Sequence, residues 1–330
     1  MKKVFSFLIL LVLASCQEVP EIRTENEFSK LFSITIGKKI TTVTTVDEFG
    51  SKLSEISFKN PYAKVVMLNT TYLSYAKSIG VENHVVGIVD VERVKKFSIE
   101  AGKIKGVGKN GVLNMELISS LKPDLIICNS FQLKELSLFD EVDVLVVNEF
   151  WEGHPLGRAE WVKVFGVIFG ADKKSEELFL EVKERYQSQL IVKQQRMPRV
   201  YNLSRFSSSY FLPGCESLMS KVLLDTQSDV ECIAESARSV EISQEQQLSM
   251  CGNKDYLLFF DWLPNNRSHE QVSKELGVQK CFKGDIIYCN TSLNSYFEAS
   301  IMEPDVVLDN LIQILHRNQE ETKYFTLLKK

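Results

Sequence analysis

The chain has 330 residues, 44% of them hydrophobic and 25% charged, and its 39 Lys and Arg against 43 Asp and Glu leave a formal net charge of −4. That balance suits a folded chain of about two domains of roughly 150 residues each and excludes one that is disordered over most of its length. No basic stripe of the kind that neutralises phosphates runs along it, so nucleic acid is excluded as a partner.

Lys2 and Lys3 precede an apolar run, Val4 to Leu13, that is too short to span a bilayer and reads as a processing signal over residues 1–16. The run ends in Leu13-Ala14-Ser15-Cys16, which resembles the bacterial lipobox. That resemblance implies that the Cys16 thiol carries diacylglycerol and becomes the first mature residue; the alternative is an ordinary secretory signal with an incidental cysteine. Acyl chains contribute about 0.8 kcal/mol per buried methylene, so several of them hold a soluble body at a membrane without a transmembrane helix. The expected location is the periplasmic face of the inner membrane, with outer-membrane or surface placement as alternatives. Without the two lysines of the signal the net charge is −6. Residues 17–30 are polar without apolar period and read as a tether.

Phe32-Ser-Ile-Thr-Ile, Gly37-Lys-Lys and Ile40-Thr-Thr-Val-Thr-Thr-Val read as a strand, a turn and a β-branched strand, an edge hairpin. From Ala63 to Asn148 short apolar runs (Val65 to Leu68, Val85 to Val89, Asp124 to Cys128, Val144 to Val147) alternate with helical stretches, the pattern of βα units around a mostly parallel sheet. Trp161, Val164, Phe165 and Ile168 mark an amphipathic helix that closes a first lobe over 31–171. Lys173 to Arg196 contains no Gly or Pro and places Phe179, Val182, Tyr186 and Leu190 on one stripe, so a helix over 172–196, about 35 Å long, links the lobes. Val200 to Leu203, Tyr256 to Phe260 and Ile286 to Tyr288 read as strands of a second lobe over 197–317. Its last helix opens at Pro304-Asp305 and buries Val307, Leu308, Leu311 and Leu315. Residues 318–330 are expected to fray. The fold class is α/β: two Rossmann-like lobes joined by one long backbone helix, with a ligand cleft between them.

Six cysteines remain beyond Cys16: Cys128, Cys215, Cys232, Cys251, Cys281 and Cys289. An even number in an oxidising compartment allows one or more disulfides without fixing the pairing, and no CxxC or CxxH spacing points to structural zinc. Cys128 ends an apolar strand and reads as a small buried hydrophobe.

Several segments carry a family resemblance in order: Asn69-Thr-Thr-Tyr after a strand, Gly80-Val-Glu-Asn-His-Val-Val-Gly-Ile, Gly106-Val-Gly, and Asn114-Met-Glu-Leu-Ile-Ser-Ser-Leu-Lys-Pro-Asp-Leu-Ile. His154-Pro-Leu-Gly-Arg-Ala-Glu-Trp, Leu212-Pro-Gly-Cys-Glu-Ser, Tyr296-Phe-Glu and Pro304-Asp-Val-Val-Leu-Asp follow. Together these resemble the class III periplasmic binding proteins that serve vitamin B12, haem and iron-siderophore importers, and the later pieces look like lipoprotein members from Bacteroidota-type bacteria. The resemblance implies a ligand held between the lobes by loops at the carboxyl ends of strands, where α/β folds present binding groups. Asn69, Thr70, Thr71, Phe131 and Trp151 would line the first lobe, and Arg205, Phe206, Tyr210, Trp262, Asn290 and Tyr296 the second. Aromatic rings would stack on a macrocycle, and Arg205 or Lys109 would pair with ligand acids. In this family one surface Glu on each lobe docks on permease arginines, and the matching positions are Glu116 and Glu245, with Glu241 as a rival to the latter. Cys215 stands where a second Gly is usual, and the Trp often found at the Tyr210 position is absent.

The implied partners are an ABC permease and ATPase and a metal-chelate, haem or corrinoid ligand, with the membrane met through the lipid anchor only; a monomer without cofactor is expected. No nucleophile motif, Walker loop or His-Glu-x-x-His motif argues for an enzyme. The alternatives are a binding protein for free zinc or manganese, for which His84, His154, His269 and His316 are too scattered, or a non-transport surface lipoprotein. His154 reads as a cap or turn residue, and Arg158 with Glu160 or Glu149 as an ion pair.

Overall fold

The computed structural model describes residues 22–96, 100–190 and 193–330. The processing signal, Cys16 and residues 17–21 lie outside the described residues. Among the described residues no helix is long and apolar enough to cross a membrane.

Four strands open the fold: β1 (Ile22–Thr24), β2 (Phe32–Ile36), β3 (Thr41–Val46) and β4 (Lys52–Phe58), antiparallel in the order β1-β2-β3-β4. The expected hairpin forms, but as the inner pair of a separate sheet rather than as an edge. Period-2 alternation turns Ile34, Val43, Thr45 and Ile56 inward, where they are buried, and leaves the remaining threonines and serines of β2, β3 and β4 half-buried or exposed. The other correction concerns the tether, whose described part is fastened to the body. Glu27, Phe28 and Ser29 donate their backbone N–H groups to the Glu160 carboxylate at 3.0, 2.9 and 2.8 Å, and Lys30 donates its own to Glu152. Buried N–H groups need partners, and here two buried carboxylates from far along the chain supply them.

The first lobe comprises β5 (Val65–Met67), α1 (Tyr72–Ser78), β6 (Val85–Val89), α2 (Val91–Val94), β7 (Lys105–Lys109), β8 (Val112–Leu113), α3 (Met115–Ser120), β9 (Leu125–Cys128), β10 (Asp143–Val146), α4 (Pro155–Glu160) and α5 (Val162–Phe169). Its sheet runs β10-β9-β5-β6-β7-β8 and is parallel except for β8. Val65 and Met67 face one core while Val66 and Leu68 face another, which is why these strands read as unbroken apolar runs.

Helix α6 (Asp172–Leu190) follows, 19 residues and so about 28 Å long. Ser175, Phe179, Val182 and Tyr186 form its buried stripe; Leu190 lies outside it at 39% exposure. Tyr186 donates its hydroxyl to Asp225 at 2.7 Å and Arg185 bonds Asp305 at 2.7 Å, so the helix that leaves the first lobe is fastened to the second near its C-terminal end.

The second lobe contains β11 (Arg199–Asn202), β12 (Ser204–Phe206), β13 (Ser209–Leu212), α7 (Leu218–Asp225), β14 (Asp229–Glu231), β15 (Val240–Ile242), α8 (Gln244–Cys251), β16 (Tyr256–Asp261), α9 (His269–Glu275), β17 (Asp285–Asn290), α10 (Thr291–Asn294), α11 (Tyr296–Ala299), α12 (Pro304–Arg317) and β18 (Thr326–Leu328). Its main sheet is β14-β11-β16-β17-β18, and β12-β13-β15 form a small antiparallel sheet beside it. The tail does not fray as expected, because β18 pairs with β17 and buries Tyr324, Phe325 and Leu327. Cys215 bonds Cys232 and Cys251 bonds Cys281, leaving Cys128 and Cys289 as buried thiols pushed up to about 12 by burial.

Candidate ligand cleft between the lobes

The carboxyl ends of the parallel strands of both lobes meet across a cleft, and buried polar contacts knit its floor. Thr70, after β5, donates its hydroxyl to Glu298 of α11 at 3.0 Å, and Arg93 of α2 pairs with the same carboxylate. Thr71 donates to Glu149 at 2.9 Å while Asn69 accepts from the Thr71 backbone and hydroxyl, both at 3.1 Å. Burial pushes the Glu149 carboxyl up, and Arg158, at 3.4 Å, and Thr71 pull it partly back. The lobes approach to backbone contact at Gly153, where an added Cβ would stand 2.3 Å from the Glu216 carbonyl oxygen, so no other residue fits.

Two bridges cross the cleft above this floor. On one side the Arg238 guanidinium of the second lobe lies 4.5 Å from the Trp151 ring of the first and pairs with Glu48 in the β3–β4 turn. On the other side Lys96 donates to the Ser292 carbonyl at 3.2 Å, and the Ser292 hydroxyl donates to the Trp262 carbonyl at 2.6 Å. Phe131, Phe150 and Trp151 make a ladder on the first lobe, with centroids 6.2 and 5.0 Å apart. Phe131 at 71% exposure and Trp262 at 60% are large apolar faces without protein cover. Such rings offer area and shape to a flat or bulky ligand at little entropic cost.

Several residues assigned from sequence stand elsewhere. Tyr210 is 7% exposed and packs inside the second lobe, because alternation along β13 turns it toward Leu212 and Ile242 in that core rather than the cleft. Tyr296 is equally buried, ringed by Phe260, Phe297, Tyr324 and Phe325. Asn290 is buried as the cap of α10 and donates to Asn266 at 3.1 Å. Thr70 and Thr71 belong to the floor rather than a wall. The Arg205 guanidinium is taken up by the Ser207 and Glu275 carbonyls, and Phe206 stands 74% exposed on the β12–β13 hairpin. Lys109 lines an open groove of about 1020 Å³ on the first lobe together with Glu116, not the interlobe cleft.

Glu116 and Glu245 occupy matching places. Asn114 caps α3, Ser243 caps α8, and each glutamate is the second residue of its helix and exposed, where the helix dipole favours negative charge. Glu241 lies on β15, not on a helix. The histidines have other employment: His154 caps α4 by accepting from Leu156 at 3.1 Å, His269 bonds the Gly284 carbonyl, and His316 bonds that of Thr226. Glu298, Glu149, Arg93, Lys96 and Arg238 escaped the sequence reading as cleft residues; only the Tyr296-Phe-Glu segment carried a trace of Glu298.

A model of the periplasmic binding protein family matches residues 65–280, spanning both lobes and the helix between them. The chain belongs to this family. Within it the fold resembles a periplasmic binding protein from Veillonella parvula, with TM-score 0.62, 14% identity and coverage of 84% of this chain and 98% of that one. It also resembles the periplasmic haem binding protein HutB of Vibrio cholerae (0.60, 14%, 76% and 98%) and the siderophore binding protein BauB, solved with two acinetobactin molecules and ferric iron (0.60, 18%, 82% and 98%). At these identities the likeness is one of fold. An uncharacterised lipoprotein of Methanocaldococcus jannaschii is 21% identical over 283 residues, 78% of this chain, and the chain spans 66% of that relative's length. The four strands β1 to β4 precede the matched region and add a sheet to the family's two lobes.

Proposed function

We propose that this chain is the substrate-binding lipoprotein of an ABC importer, anchored through Cys16, which captures a ferric siderophore, haem or cobalamin in the interlobe cleft and presents it through Glu116 and Glu245. The observation that carries the reading is the pair of uncovered aromatic faces, Phe131 on the first lobe and Trp262 on the second, at the carboxyl ends of opposed strands. Neither is buried in a core, and rings left open beside a rigid sheet edge suit a large, partly apolar guest. The similar folds of haem and siderophore binding proteins support the same class of ligand. Single exposed ion pairs are worth about 0–1 kcal/mol, so the two glutamates would set register on the permease more than affinity.

The soluble body, residues 17–330, titrated with haemin, ferric desferrioxamine and cyanocobalamin, is expected to bind one of the three saturably, read by absorbance and tryptophan fluorescence. Trp262→Ala should weaken that binding about tenfold while leaving the thermal midpoint unchanged, since the ring is exposed. No saturable binding of any ligand, or undiminished binding in the variant, would overturn the reading.

A further inference from the structure

The chain enters its fold at the end of the molecule opposite the cleft. Ile22 pairs with Ile36 beside the β2–β3 turn, and Thr41 pairs with Phe58, so these residues share one end of the first sheet. The parallel sheet of the first lobe starts at that same end. Asp124 donates its backbone N–H to the Lys64 carbonyl at 2.8 Å just before β9 and β5, and the Tyr62 hydroxyl reaches Asp143, the first residue of β10, at 2.6 Å. The other end of β4 lies toward the cleft: Ser54 accepts from the Val146 backbone at 2.9 Å, and the turn that precedes β4 carries Glu48 to Arg238. The seven residues of β4, at about 3.4 Å each, put roughly 20 Å between the two ends.

Little slack joins this end to Cys16. Six peptide steps from Cys16 to Ile22 reach at most about 20 Å. The segment beyond Ile22 does not pay out more chain readily, because residues 27 to 30 are held by Glu160 and Glu152, 0% and 4% exposed, and Lys183 holds Glu27 at 2.8 Å. Trp161 in turn fixes Glu152 at 3.0 Å, and a Cβ at Gly157 would press on the Phe28 carbonyl oxygen at 3.0 Å, so the arm lies close on α4.

The entry end also carries exposed lysines. Lys38, Lys39, Lys59, Lys64 and Lys122 are exposed there, with Ile40 at 46% exposure, on a chain whose net charge is negative. Of the acids at this end, Asp124 accepts from the Ala63 and Lys64 backbones and Asp143 from Tyr62, while Asp140 and Glu141 lie exposed before β10. Ammonium groups on flexible stems beside an exposed isoleucine suit an anionic headgroup layer.

We propose that the lipidated chain stands with this base on the anionic headgroups of the membrane that holds it, and that the cleft, with Glu116 and Glu245, faces away from that membrane. The inference rests on lipidation at Cys16. A cleft turned toward the same bilayer would lift Ile22 by the length of the sheet plus the height of the docked partner, which the tether cannot reach. A permease docked through the two glutamates would therefore lie across from the anchoring membrane, which favours the outer-membrane placement over the inner-membrane face expected from sequence.

The test uses the full lipidated chain on vesicles of phosphatidylcholine with phosphatidylglycerol, carrying a fluorophore at Lys39→Cys or at Glu245→Cys and a quencher on the lipid headgroups. Flotation with the vesicles, lost in Cys16→Ala, first establishes the anchor; failure there sinks the lipoprotein reading and the orientation with it. With the anchor in place, the label at position 39 should be quenched at least threefold more than that at 245. Inserting twenty Gly and Ser residues after residue 17 should bring the two labels together, since the tether then spans about 25–30 Å. Reversing Lys38, Lys39, Lys59 and Lys64 to Glu should reduce the contrast on anionic vesicles. Equal quenching in the parent chain, or stronger quenching at 245, overturns the proposal while leaving the anchor and the ligand reading intact.

Discussion

The two lobes follow one plan, a parallel sheet whose loops face a shared cleft, but they are fastened in opposite ways. The first has no disulfide among the described residues and relies on buried carboxylates: Glu160 and Glu152 on backbone N–H groups, Glu149 on Arg158 and Thr71. The second closes 17- and 30-residue separations with disulfides, and of its buried acids Asp261 is held within the lobe by Arg267 and Tyr288 while Glu298 reaches Thr70 and Arg93 of the first lobe. One apolar core runs through both lobes, so the difference lies in the fastening of their loops: a covalent link acts mainly by limiting the unfolded chain, the carboxylates by satisfying buried N–H groups in the folded one.

The largest expected break in this comparison is redox. Reducing both disulfides should cost about 3 kcal/mol for each loop and split one calorimetric transition into two, with the second lobe melting first. A single transition shifted as a whole would show that the lobes unfold together. Next comes Arg158→Ala, which leaves the buried Glu149 unpaired and should cost about 3–5 kcal/mol by denaturant unfolding. Arg158 also lines a cavity of about 30 Å³ with Leu218, Tyr296 and Ile301 of the second lobe, so this loss should fall on both transitions.

The smallest effect should be in pH, and it should divide the lobes. Burial raises Glu149 and Glu152, so their protonated forms favour the fold; that contribution is full below the unfolded carboxylate value near 4.5 and disappears as pH rises through their folded values. For Asp261 burial pushes up, but Arg267 and Tyr288 carry it below its usual 3.8 on balance. Its contribution is present above 3.8 and is lost as pH falls through the folded value. Unfolding followed from pH 7 to 3 should thus show the first lobe gaining before the second weakens; parallel curves would remove the electrostatic half of the contrast.

The parallel strands were legible because both of their faces are buried and their runs are unbroken; Val65 to Met67 and Tyr256 to Asp261 need no partner information to be recognised. Strands β8, β12, β15 and β18 are two to three residues long and half exposed, so local pattern gives them no signature. The same limit explains the cleft. Sequence located the loops after β5, β10, β16 and β17, but whether a side chain on them meets solvent or core is decided by partners far along the chain. Tyr296 meets Phe325 and Thr70 meets Glu298, 228 positions away. The arm at 27–30 escaped notice for the same reason, its partners lying more than 120 positions on.

Helix α6 has one more consequence. Braced to the second lobe by Tyr186 and Arg185 and to the first by Glu176, which pairs with Lys163 at 3.2 Å, it leaves little travel for one half to swing against the other, so a filled molecule and an empty one would present nearly the same outline. Under the proposed function, a transporter that receives such a carrier would have to inspect the cargo rather than the container, and empty carriers would compete with loaded ones for every landing place.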